Sequence, residues 1–222
     1  MFWTLALAHL IADYPLQTDG LVRAKVRWTG VALHATVHLL VMTILSGRAS
    51  LRIWPALLAL AAAHFTIDMT KSAVGHYRPR QVIVPYVIDQ LLHIASLALV
   101  AFWIERQFGV QRDQTWMIYA AAYLGATHVW YITERVAAHD DPSYRETVQA
   151  HRRLRPVMRG LALTVYLLAG AWLLPESPDT IALFVAASLL LPYRREPFGR
   201  RMLAQDLLGP LPIAVLALVL VR

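Results

Sequence analysis

Val31-Ala-Leu-His34-Ala-Thr-Val-His38-Leu-Leu-Val-Met-Thr-Ile-Leu45 is a run of apolar residues interrupted by two histidines four apart. Residues at that spacing lie one turn above each other on the same face of an α-helix. The pattern recurs with different partners: His64 and Asp68, Asp89 and His93, and, in the opening segment, His9 and Asp13 with Gln17 four residues further on. Four successive apolar segments therefore each present a metal-ligand-type pair from one face. The expectation is that the segments are membrane helices and that the pairs converge on one site.

Composition points the same way. The 222 residues are 58% hydrophobic and only 16% charged, whereas soluble domains carry roughly 45–50% apolar and about 25% charged residues. The mean hydropathy is +0.48. The apolar residues fall in blocks that, with their flanks, approach the roughly 20 residues needed to cross a bilayer. They predict helices over 1–17, 29–46, 53–72, 82–104, 115–135, 157–174, 179–193 and 206–222. The fold class is thus all-α, a polytopic membrane helical bundle of about eight transmembrane helices. Residues 1–110 form the part with the His/Asp pairs, and residues 111–222 add further membrane helices and a cytoplasmic loop at 136–156, in one compact bundle. A short helix is expected to start near Pro142-Ser143 in that loop. Residues 1–16, lacking a basic start and a small-residue cleavage site, are read as a retained helix rather than a signal peptide.

Zero cysteines exclude disulfides, thiolate zinc sites and cysteine nucleophiles. The net charge of +7 reports topology rather than nucleic-acid binding, since no basic face interleaves with aromatics. Most of the 21 Lys and Arg fall in the first, third, fifth and seventh connections. Basic residues favour the cytoplasmic side, which places both termini outside. Counting about 1.5 Å of rise per residue from the cytoplasmic ends puts every pair, and His128 of the fifth helix, roughly 6–16 Å deep. That slab is the cytoplasmic half of the bilayer.

Ionisable groups at such depth are costly, about 2.5–3.5 kcal/mol for an Asp, Lys or Arg at a helix centre. They must pair, line a wet cavity or bind an ion. Imidazoles and carboxylates together suit zinc, with iron or manganese as alternatives. The candidate metal ligands are His34, His38, His64, Asp68, Asp89 and His93, holding one or two ions. His9, Gln17 and Gln90 would support the site from around it, and Lys71, three residues after Asp68, either snorkels or holds an anionic headgroup at the mouth.

His9-Leu-Ile-Ala-Asp13-Tyr-Pro-Leu-Gln17, followed by His34-x3-His38, His64-x3-Asp68 and Asp89-Gln90-x2-His93, resembles a bacterial membrane-protein family known only as a domain of unknown function. The resemblance covers about the first half of the chain and supports the fold without naming a reaction. Lys71-x6-Arg78-Pro79 is similar to the first motif of membrane lipid phosphatases, but the motifs that should follow are missing. No His-Glu-x2-His is present.

The residues point to a metal-dependent membrane hydrolase acting on a lipid or a membrane peptide. A metal-bound water, its pKa lowered towards about 7, would be the nucleophile, and Asp13 or Asp89 would take its proton. Two other classes compete. A divalent-metal or proton transporter would use the same residues as a relay, but needs polar residues to continue through the outer half, where the first five helices are apolar. A scaffold with a structural polar core would tolerate apolar replacement of its pairs.

Overall fold

Pro15 decides where the first helix stops. Proline has no N–H to donate, and its ring clashes with the carbonyl four residues back, so α1 spans Phe2–Asp13 rather than running on to residue 17. Gln17 consequently lies beyond the helix instead of on its face. The computed structural model describes residues 1–77, 82–110, 114–139, 141–173 and 200–221. The chain continues through α2 (Asp19–Ala24), α3 (Trp28–Ser46), a 3₁₀ turn (Gly47–Ala49), α4 (Ser50–Tyr77), α5 (Ile83–Phe108) and α6 (Thr115–Leu124). A π turn (Gly125–Val129) leads into α7 (Trp130–Ala137), followed by α8 (Pro142–Ala150), α9 (Leu154–Leu173), α10 (Arg200–Leu208) and α11 (Pro210–Val221). No strand occurs among the described residues. The helix expected over 179–193 lies outside them, and the last expected helix is broken at Gly209-Pro210.

Among the described residues, three helical stretches are long and apolar enough to cross a membrane: Trp28–Ala73, Ile83–Phe108 and Met202–Val221; Phe2–Asp13 is apolar but shorter. The 46-residue stretch folds back on itself. Gly47 ends α3 with φ 56°, a left-handed φ that glycine adopts without a side-chain penalty, and α4 then packs antiparallel along α3.

The backbone divides into two units, Met1–Met117 and Ile118–Arg222. In the first, α1, α3, α4 and α5 enclose an interior with two unlike ends. One end is apolar, built from Met1, Leu5, Met42, Ile53, Leu57, Leu97 and Ile104. The other holds the His/Asp pairs. Helices α1 and α4 run from the apolar end to the polar one, whereas α3 and α5 run the opposite way. The outward faces are apolar: Leu40, Ile44, Leu51, Leu99 and Phe102 are all exposed. Polar groups inside and hydrocarbon outside is the arrangement of a membrane protein, since soluble monomers rarely expose large contiguous apolar patches.

In the second unit, Arg155 and Arg159 are buried inside α9 rather than solvated in a connection, because two acids neutralise them. Arg155 donates through Nε and Nη2 to both Asp206 oxygens at 2.7 and 2.9 Å, and through Nη2 to Glu134 at 2.7 Å. Arg159 donates to Asp206 and Glu134, each at 2.7 Å, and stacks over Trp130. These ion pairs tie α7, α9 and α10 together. The α8 helix begins at Pro142 as expected, with the Asp141 carboxylate accepting from Tyr144 N–H at 3.0 Å.

The short α2 starts at Thr18, whose hydroxyl accepts from Leu21 N–H at 3.3 Å, and has no buried residue. It is held against α3 at Gly30, where a Cβ would lie 2.1 Å from the Ala24 carbonyl oxygen. Any side chain there pushes α2 away.

Two outcomes are expected. Asp206→Ala strands two buried guanidinium groups and lowers stability by about 3–5 kcal/mol, visible as a large drop in the thermal midpoint of the detergent-solubilised protein. Gly30→Ala leaves the α1/α3/α4/α5 core intact but detaches α2, so limited proteolysis of the variant cuts within residues 18–27 well before the wild type is cut there.

Candidate metal centre

Each of the four helices contributes its pair by the same device, two polar side chains one turn apart on the inward face. Helices α1 and α4 deliver His9/Asp13 and His64/Asp68 near their C-terminal ends, and α3 and α5 deliver His34/His38 and Asp89/His93 near their N-terminal ends. The antiparallel order brings all eight side chains to one place. His34 is fully buried, and His9, His38, His64, Asp68, Asp89 and His93 are buried with it.

The five imidazoles form a continuous cluster. Ring centroids of His38 and His64 lie 3.6 Å apart, those of His64 and His93 4.1 Å, and those of His9 and His93 4.9 Å. The Nε2 atoms of His34 and His38 approach one Asp13 oxygen at 2.8 and 3.0 Å, and each other at 3.2 Å. His64 Nε2 lies 3.9 Å from that oxygen, and His9 Nε2 3.4 Å from the other. Asp68 stands between His64 Nε2 at 3.6 Å, His34 Nε2 at 3.8 Å and His93 Nε2 at 3.5 Å. Asp89 lies 3.4 Å from His93 Nε2. All the approaching ring atoms are Nε2, so the rings share one polarity towards the carboxylates.

Outside this cluster sits a shell of hydrogen-bonding groups. Lys71 does not snorkel away: its Nζ bonds Asp89 Oδ2 at 2.6 Å. Gln90 donates to the same oxygen at 3.1 Å and accepts from the Tyr14 hydroxyl at 3.2 Å. Gln17 reaches back to donate to the Asp13 carbonyl at 3.1 Å and accepts from Lys25 at 2.9 Å. His128, expected in the same layer, belongs to the second unit and is exposed, its Nδ1 facing the Thr127 hydroxyl at 3.0 Å.

Lys25, Tyr14 and Tyr86 were not legible as site residues. Lys25 Nζ lies 2.5 Å from Asp68, and the Tyr14 and Tyr86 hydroxyls meet at 3.0 Å. In the sequence Lys25 is one basic residue in a connection. Only Thr18 at the start of α2 and the tight packing at Gly30 bring it to Asp68.

Several buried atoms are left with no partner in hydrogen-bonding geometry: His9 Nε2, His64 Nε2, His93 Nε2 and Asp89 Oδ1. Buried polar atoms nearly always have partners, and an exception calls for an ion, a water or a catalytic role. The ligand atoms of Asp13, His34, His38 and His64 all lie within 4.8 Å of one another, as do those of Asp68, Asp89 and His93, and those of His9, His64 and His93. The first two sets share no residue. The cluster thus offers two adjoining groups of nitrogen and oxygen ligands of the kind that bind divalent metals.

A family model described as "Protein of unknown function (DUF3307)" matches residues 1–119, and the chain belongs to that family. The match contains every residue of the cluster, as the resemblance in the sequence indicates. No curated protein and no solved structure matches the chain.

Asp13 is the acceptor common to two buried rings. Asp13→Ala in chelator-treated protein leaves His34 and His38 short of an acceptor and lowers stability by about 1–3 kcal/mol for each buried group. Thermal unfolding of the metal-free variant beside the metal-free wild type measures the loss.

Proposed function

We propose that the protein is a metal-dependent hydrolase of a bacterial cytoplasmic membrane, acting on a lipid or membrane-associated substrate that enters from the cytoplasmic side. In this reading both termini face outward, and the His/Asp cluster lies in the inner half of a bundle of eight crossings. The observation that carries the proposal is the meeting of eight ligand-type side chains from four helices, with three ring nitrogens and a carboxylate oxygen buried and unpartnered.

Asp13, His34, His38 and His64 suit a tetrahedral zinc ion, with iron or manganese as alternatives for the same ligand chemistry. Asp13, a candidate base on sequence grounds, is better assigned as a ligand because it is surrounded by imidazole nitrogens. Asp89 takes the base role. Lys71 and Gln90 hold its Oδ2, and its Oδ1 faces His93 Nε2 at 3.4 Å without a well-formed hydrogen bond. A metal held by these residues would supply the acidity that makes a bound water a nucleophile near neutral pH, and Asp89 is placed to receive the proton.

A transport path gains no support from the interior beyond the cluster. Met1, Leu5, Met42, Ile53, Leu57, Leu97 and Ile104 close the unit there with apolar contacts. A purely structural polar core accounts poorly for unpartnered nitrogens, which helix–helix hydrogen bonding would satisfy.

Elemental analysis of the detergent-purified protein, beside a His38→Ala/His64→Ala double variant, tests the proposal. The wild type should retain at least one divalent ion per chain under conditions that keep weakly bound ions, and the variant should lose it. A metal-free wild type would sink the reading. Equal metal in both proteins would show that the ligands lie elsewhere.

A further inference from the structure

We infer that the bond hydrolysed is a phosphate ester and that the substrate is a lipid phosphomonoester; this rests on the metal-hydrolase reading above. The juxtaposition that carries it is two lysines, one following α2 and one on α4, each touching a carboxylate of the cluster. Lys25 Nζ lies 2.5 Å from Asp68, and Lys71 Nζ 2.6 Å from Asp89. Their side chains are 17% and 37% exposed, whereas the His34, His38 and His93 side chains are at most 2% exposed. The lysines therefore mark the opening, and the imidazoles the floor.

Charge decides between substrates. With neutral imidazoles, the three carboxylates of Asp13, Asp68 and Asp89 against two ammonium groups leave one negative charge. Divalent ions in the two disjoint ligand sets would turn that into three positive charges, a total unchanged when a water passes its proton to Asp89 within the site. A phosphomonoester dianion offsets two of the three. A carboxylic ester or a peptide is neutral and leaves the excess uncompensated in a low-dielectric site, where unpaired charge is costly. A cation ligated by Asp68 and Asp89 also competes with Lys25 and Lys71 for those oxygens. The freed ammonium groups then need another anion within reach, and phosphate oxygens are suited to that role.

The surroundings of the opening say what the phosphate is attached to. Val22, Val26 and Trp28 flank Lys25, and Ile83, Val84, Val87 and Ile88 line the end of α5 that carries Asp89; all of these are exposed. A substrate reaching the lysines lies along hydrocarbon, as a lipid tail does. In the reaction the water oxygen bonds to phosphorus as its proton passes to Asp89. The phosphorus–oxygen ester bond breaks, and the leaving alkoxide takes that proton. One phosphomonoester and one water give a lipid alcohol and inorganic phosphate.

The test uses metal-loaded protein in mixed micelles containing phosphatidic acid, with glycerol 3-phosphate as the soluble phosphomonoester. Inorganic phosphate and free fatty acid are both measured, and inorganic phosphate binding is followed by calorimetry. Expected are phosphate release from the lipid without fatty acid, and much slower release from glycerol 3-phosphate. Lys25→Gln and Lys71→Gln should each raise KM about tenfold or more with metal content unchanged, and Lys71→Arg should recover much of the loss. Fatty acid in place of phosphate overturns the inference, as does an unchanged KM in both glutamine variants. Equal turnover of glycerol 3-phosphate overturns the lipid assignment. A protein that holds its metal but neither releases nor binds phosphate removes this inference and leaves the metal centre standing. A protein without metal removes the reading beneath it.

Discussion

Three aspartates buried among helices with apolar outer faces are the constraint on which the first unit depends. None of them could remain charged inside hydrocarbon alone, and each is surrounded instead: Asp13 by imidazoles, Asp68 by three imidazoles and Lys25, Asp89 by His93, Lys71 and Gln90. Each aspartate draws at least one of these partners from another helix: His34 and His38 for Asp13, His34 and His93 for Asp68, Lys71 for Asp89. The helices must therefore be antiparallel and in one register before the charges are tolerable. Apolar packing alone, between residues such as Leu57 and Leu97, would accept a sliding of one helix along another. The carboxylates would not.

The second unit solves a related problem with a different chemistry. Guanidinium groups and carboxylates form a closed network there, in which Arg155 and Arg159 each meet both Glu134 and Asp206. Each guanidinium there is held by both acids, which suits a network whose task is holding α7, α9 and α10, although its Nη1 is left without a hydrogen bond. In the first unit, imidazoles outnumber carboxylates, and the nitrogens left over include imidazole Nε2 atoms, which can ligate a metal. A guanidinium offers no lone pair, and that difference in donor chemistry separates a candidate site from a clamp.

Much of the site was legible because its signal is local. Spacing of four within an apolar run places His34 with His38, or His64 with Asp68, on one face whatever the rest of the chain does. Agreement between runs followed from the alternating direction of the helices. What the sequence did not disclose depends on breaks in periodicity. Pro15 ends α1 earlier than hydropathy suggests, and with it Gln17 leaves the helix face. Lys25 becomes a site residue only through a six-residue helix with no apolar stripe and a contact at Gly30 that tolerates no side chain. Depth along an axis also says nothing about which way a side chain faces, and His128 is exposed. Arg155 and Arg159 counted as surface charge because their partners lie 21 to 51 residues away.

The two unlike ends of the first unit make the polar chamber a cul-de-sac. Among the described residues, packed aliphatic side chains close the interior behind the histidines. On the proposed reading, ion, water, substrate and both products would therefore share the side where Lys25 and Lys71 lie. Traffic through one passage would have an order. An ion arriving after an amphiphile had settled would find its route covered, and a product keeping the hydrocarbon tail of its parent would leave no faster than the tail could slide back into lipid. Turnover in such a chamber would be set as much by departure as by bond breaking.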